Sequence, residues 1–171
     1  MGDMFIIQKI TQRFDPAQDR ICLSVQDGNG QVLLLWLTQR LANRLAGALA
    51  NWLDDDLKIQ AAGQSVPSLH AWEQAAAQAQ LKPDRPVEAT AAKGEALLET
   101  VDLARGLHGY TLTFKWGGTG AAQLTMSGTE LRQWLGILHR LFDTAGWPKH
   151  AWPQWFGVVG SAPSAAAHSL H

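Results

Sequence analysis

Six histidines, one cysteine and a run of three aspartates are the residues of this 171-residue chain best suited to metal or proton chemistry. The histidines are His70, His108, His139, His150, His168 and His171. No two stand at the i, i+4 spacing that sets a metal-binding pair on one helix face. His168 and His171 belong to a Ser/Ala-rich stretch that reads as a disordered tail. Asp27-Gly28-Asn29-Gly30-Gln31 opens like a calcium loop. Val32 then stands where that loop needs glycine, and Thr38 where it needs a bidentate Glu, so the reading is a tight hairpin. Asp54-Asp55-Asp56 reads as a solvated helix end. Cys22 falls inside an alternating strand and reads as a small buried thiol, and a lone cysteine excludes an intramolecular disulfide. The chain contains no phosphate-binding Gly-rich loop followed by Lys-Ser/Thr, no G-x-S-x-G elbow and no H-E-x-x-H pair. No catalytic residue, metal site or cofactor is predicted, and the expectation is a protein that is not an enzyme.

Two groups of residues are better suited to binding. Lys9, Thr11 and Arg13 alternate outward on a first strand, Arg20 and Ser24 on a second, and Thr111, Thr113 and Lys115 on a later one. On one sheet face, Lys9, Arg13, Arg20 and Lys115 would form a cationic, hydroxyl-rich surface of the kind that tracks a phosphate backbone. Asp102 is the nearby acid that would offset it. The plain alternative is a solvated face that discourages edge pairing. The second group is Trp147, Trp152, Trp155 and Phe156, four aromatics in ten residues interrupted by Pro148 and Pro153. They either pack back on the domain or anchor a partner, since Trp is enriched at interface hot spots.

The elements that would carry these groups follow from periodicity. Met4 to Phe14 reads as a strand that Asp15-Pro16 ends. Arg20 to Gln26 alternates, and Val32 to Leu37 is nearly all apolar. Thr38 suits a helix N-cap, and Leu41, Leu45, Ala48, Leu49 and Trp52 recur at helical spacing. The three aspartates oppose the helix dipole, which predicts a stop near Leu53. Ser68 to Gln80 predicts an Ala-rich helix with Leu69, Trp72, Ala76 and Ala79 on one face. Pro83 and Pro86 make 82–90 an extended linker. Strands return at Leu97 to Ala104, Tyr110 to Trp116 and Ala122 to Met126. Ser127 and Glu130 form a capping box before Leu131, Trp134, Leu135, Leu138, Leu141 and Phe142, the clearest helical pattern in the chain. Gly146 suits its C-cap.

The two halves match in order. At one constant offset Leu23 aligns with Leu112, Val25 with Phe114, Gly28 with Gly117, Leu35 with Leu124 and the cap Thr38 with the cap Ser127. One residue is then inserted, after which Leu41 aligns with Leu131 and Leu45 with Leu135. The expected fold is α+β: two pseudo-repeated β-β-β-α units forming one domain of about six strands, with an antiparallel sheet and packed helices. The expected division is 1–56 for the first unit, 57–94 for an Ala/Pro-rich helical linker, 95–146 for the second unit and 147–171 for the Trp-rich segment and tail. This layout is similar to that of single-stranded nucleic-acid binders of the PUR and Whirly kind, although those repeats carry four strands per helix and three are counted here.

Charge leaves any polyanion binding to a local patch. Charged residues make up 17% of the chain and the net charge is −1, so no global field draws it to nucleic acid or acidic lipid. The start has neither a cationic n-region nor an apolar h-region, and no window has the ~18 apolar residues of a membrane span, so a cytoplasmic location is expected. The reading that results is a non-enzymatic interaction protein acting on a protein partner, with self-association as a homodimer. Single-stranded DNA or RNA binding on the cationic face is the alternative.

Overall fold

A computed structural model describes residues 3–60 and 66–156. The predicted disordered tail, with His168 and His171, lies outside the described residues. The chain is α+β, with eight strands and three α-helices among the described residues. In chain order these are β1 (Phe5–Ile6), β2 (Lys9–Asp15), β3 (Arg20–Gln26), β4 (Val32–Leu37), α1 (Gln39–Gln60), α2 (Val66–Ala79), β5 (Gly94–Leu97), β6 (Thr100–Gly106), β7 (Gly109–Trp116), β8 (Gly120–Met126) and α3 (Gly128–Ala145). A 3-10 turn, Ala89–Ala91, precedes β5. Two compact units result. The first is Met1–Ala42 with Arg85–Ser127, and the second is Asn43–Asp84 with Gly128–His171.

The first unit holds two four-stranded sheets, ordered β2-β3-β4-β5 and β1-β8-β7-β6. Each is an antiparallel three-strand meander with one parallel strand added at its side. The expected antiparallel sheet is therefore corrected to two mixed sheets. The long first strand is also corrected. It divides at Ile7-Gln8: the Ile7 amide donates to Gln123 O in one sheet, and the Gln8 amide to Gln26 O in the other. The second crossing repeats this, with Leu98 N–H donating to Trp36 O and Glu99 N–H to Lys115 O. Ile7 and Leu98 are both buried, so an apolar side chain pins each crossing.

Register follows the apolar alternation. Ile21 pairs with Leu37, Leu23 with Leu35 and Val25 with Leu33, and in the other sheet Leu112 pairs with Leu124 and Phe114 with Ala122. The opposite face of β3 is covered too, since Cys22 and Ser24 are buried. The Val87 amide donates to Thr11 Oγ1 at 2.8 Å on that face, and the Lys93 amide donates to Val32 O. Gly109, in the β6–β7 turn, has φ +131°, and a Cβ there would lie 2.2 Å from Met126 O, so only glycine fits.

The Asp27 loop is a hairpin turn that binds its own backbone. Asp27 Oδ1 accepts from the amides of Asn29 at 2.9 Å and Gln31 at 2.8 Å. Thr38 Oγ1 accepts from the Leu41 amide at 3.2 Å, capping α1 as expected. The helix runs to Gln60, however, and not to Leu53. Lys58 pairs with Asp54 at i, i+4, and Leu57 extends the buried stripe of Leu45, Leu49 and Leu53.

The second unit joins the rest of α1, α2, α3 and the aromatic residues that follow. Leu131, Trp134, Leu135, Leu138 and Phe142 form the buried stripe of α3. Gly146 ends it at φ +69°, and the Trp147 amide donates back to Phe142 O. No helix among the described residues is long and apolar enough to cross a membrane.

Candidate functional site

Three of the four buried polar or charged side chains among the described residues, His70, Gln74 and Arg132, lie in the second unit. The helical spacing puts Leu69, Trp72, Ala76 and Ala79 on one face of α2, and that face is not the buried one. The buried positions are instead His70, Gln74 and Ala77, while Trp72 is 67% exposed. The buried stripe has equally good helical spacing (i, i+4, i+7), and alanine at several positions leaves the phase undetermined by hydropathy.

Polar partners on the neighbouring helices explain why the His70 face is the buried one. His70 is 0% exposed. Its Nε2 lies 3.1 Å from Asp54 Oδ1 on α1, and its Nδ1 lies 3.2 Å from Arg132 Nη2 on α3. A guanidinium only donates, so Nδ1 accepts, and the ring is the neutral Nε2–H tautomer donating to Asp54. Burial, then the Arg132 charge, pushes His70 below the ordinary imidazole range. Asp54 also accepts from Lys58 Nζ at 2.8 Å, and that bond holds its carboxyl below the usual range. Gln74 Nε2 donates to Arg132 O at 2.8 Å, and Gln133 Nε2 donates to Ala77 O at 3.0 Å. Glutamine amides thus stitch α2 to α3 through backbone carbonyls. Gly136 permits the approach, because a Cβ there would lie 2.0 Å from Gln78 Nε2.

The aromatic segment 147–156 closes over this network. Trp155 stacks on His70 with centroids 4.2 Å apart and planes 6° from parallel. The Arg132 guanidinium lies 5.6 Å from the Trp155 ring centre. His139 of α3 meets Trp152 edge-on at 5.0 Å and Phe156 at 5.4 Å. Phe142 meets Trp147 and Trp152 edge-on. Trp147, Trp152, Trp155 and Phe156 are all buried, between 4% and 7% exposed. Of the two readings for these four rings, packing back on the domain describes this arrangement, and none of them is on the surface.

An Asp–His pair is a common general-base arrangement, but it needs a free ring nitrogen facing substrate. Here both nitrogens are engaged and the ring is covered by indole. The arrangement therefore fixes helix positions and holds a proton at a stated atom.

The expected cationic face is corrected. Lys9, Arg13 and Arg20 stand on β2 and β3 in one sheet, while Lys115 stands on β7 in the other. Arg13 pairs with Asp15 at 3.5 Å and lies over Trp36, and Lys115 is ion-paired with Asp102. The two sheets draw their fourth strands from distant parts of the chain, and that pairing cannot be read from local periodicity. Among the described residues no cluster of three or more His, Cys, Asp or Glu could hold a metal ion. No protein family, curated protein or solved structure matches the chain at a significant level.

Proposed function

We propose that this chain is a non-enzymatic, cytoplasmic interaction protein that works by protein–protein contact, with a second copy of itself as the first partner. The observation that carries the reading is the outward apolar stripe of α2, with Trp72 67% exposed beside Leu69, Ala75, Ala76 and Ala79. An exposed Trp offers area that a monomer gains nothing by leaving in water, and Trp is the residue type most enriched at hot spots. A large ring next to a flat alanine shelf makes the patch self-complementary, as a twofold interface requires. Glu73 is the one charged residue in α2, so two such helices meet without a cluster of like charges. Light scattering on the eluting protein tests this. The expected result is a concentration-dependent dimer that Trp72→Glu returns to monomer. A monomer at every concentration, together with a pull-down that Trp72→Glu leaves unchanged, refutes it.

A second reading, single-stranded nucleic-acid binding, is favoured by the strand pairing. Each long helix that closes a half, α1 and α3, follows four strands, the first of which pairs with the other half's meander. The two crossings at Ile7-Gln8 and Leu98-Glu99 correspond, which supports an internal duplication. Four strands per helix is also the layout of the PUR and Whirly repeats. On the β6–β7–β8 sheet, Thr111, Thr113, Gln123, Thr125 and Lys115 share one face. Fluorescence anisotropy with short oligonucleotides is the test, and no binding at low salt removes this reading.

A further inference from the structure

We propose that segment 147–156 is a proton-operated strap: it stays closed while His70 and His139 are neutral, and protonation of both rings on mild acidification releases it from α2 and α3. The geometry that carries this is simple. Three of the segment's four large aromatic rings rest on just these two imidazoles. Trp155 lies flat on His70, while Trp152 and Phe156 meet His139.

At His70 the hydrogen bonds permit only one protonation state. Arg132 Nη2 already donates to Nδ1. Adding a proton to Nδ1 sets two cationic donors against each other at 3.2 Å inside the fold. The groups facing His70 are Asp54 on α1, Glu73 on α2 and Arg132 on α3. Asp54 favours the protonated ring, but it shares its carboxylate with Lys58 and already accepts the Nε2 proton. It therefore has no new bond to offer an imidazolium. The ring can take a proton only after it moves away from Arg132, and the indole stacked on it must move as well.

His139 is gated differently. Its charged neighbours are Arg140 and Asp143 on α3 and Lys149 on the strap. Lys149 and Asp143 are ion-paired with each other, so their fields at the ring largely offset. Burial under Trp152 and Phe156 is what disfavours the charged form, and removing that cover restores it. Each histidine therefore opposes protonation while the strap is closed and accepts a proton when it is open.

Linkage fixes the size of the effect. A ring that titrates near its ordinary 6.5 when open, and resists protonation when closed, raises the opening constant by up to about 10-fold at pH 5.5. Two such rings raise it up to about 100-fold. The test is amide hydrogen exchange of the full-length chain at pH 7.5 and 5.5, corrected for intrinsic exchange rates and read peptide by peptide. Opening of 147–156 should rise between about 10-fold and 100-fold while residues 20–37 keep their protection. His139→Phe keeps an aromatic ring in place and should remove about 10-fold of the gain. Arg132→Gln lets the closed ring take a proton and should move the opening midpoint toward acid, and Asp54→Asn removes the charge that favours the closed imidazolium and should move it toward neutral pH. A wild-type rise below 10-fold, or equal loss of protection in 20–37, overturns the proposal. So does an identical midpoint in the two charge variants.

Discussion

Replacing His70 with leucine separates a polar lock from simple filling of volume. Leucine occupies the fully buried site but cannot donate to Asp54, accept from Arg132 or stack on Trp155. Hydrogen bonds to charged partners are worth about 1.5–3 kcal/mol each. The Asp54 side chain is 34% exposed, so solvent reduces its share to the bottom of that range or below. The lost stack adds about 0.5–1.5 kcal/mol. The leucine side chain returns about 1–2 kcal/mol through its apolar area. The net expectation is about 3 kcal/mol of destabilisation, or a Tm lower by about 6–12 °C for a chain of this length. Calorimetry or urea unfolding measures it directly. A cycle with Asp54→Ala should give a coupling of at least about 0.5 kcal/mol, because the two residues share a bond. If His70→Leu lies within about 1 kcal/mol of wild type, or the cycle is strictly additive, the polar contacts do not hold the helices and the reasoning fails.

Three further outcomes follow from other parts of the fold. Stability should be fully present above about pH 6.5 and fall as the pH drops through the lowered values of His70 and His139, because the unfolded chain binds those protons more readily; urea midpoints at pH 7.5 and 5.5 measure it, and a midpoint that does not fall contradicts it. Gly109→Ala should cost more than about 2 kcal/mol, since the Cβ meets Met126 O and the backbone is left-handed there; an unchanged urea midpoint would show that the turn relaxes freely. Lys115→Ala should change stability by less than about 1 kcal/mol, because its pair with Asp102 is solvent-exposed; a larger loss in the same assay would mean that the pair is structural.

Much of the secondary structure is legible in the sequence, and most of the pairing is not. The strong periodicities of β3, β4, β7, β8 and α3 come from side chains that alternate or recur against an apolar interior, and local reading captures them. Strand β5 is only Gly94–Leu97 and owes its existence to a parallel neighbour far away in sequence, so no local alternation marks it. The division at Ile7-Gln8 is a bend without glycine or proline, so no turn residue marks it in the sequence. The end of α1 was misplaced because three aspartates outweigh one lysine in a dipole estimate, whereas Lys58 and buried Leu57 carry the helix onward. The His70 site was missed for a related reason. Its members come from three helices and the segment after α3, and nothing in the spacing of Asp54, His70, Arg132 and Trp155 announces that they meet. Apolarity groups Leu69, Trp72, Ala76 and Ala79 on one face of α2 but does not say that the opposite face, with His70 and Gln74 and their charged and backbone partners, is the buried one.

The exchanged strands also constrain the order in which the protein can be made. β1 leaves the ribosome before the other described strands, yet its strand partner among the described residues, β8, follows seven strands later. β4 likewise waits through two helices for β5. During translation the nascent first half therefore carries an orphan strand and an open sheet edge; one sheet can close only once Leu97 has emerged and the other only once Met126 has. A fragment ending after α1 would keep both the unmatched first strand and the open edge of β4, the two features that invite pairing with another chain.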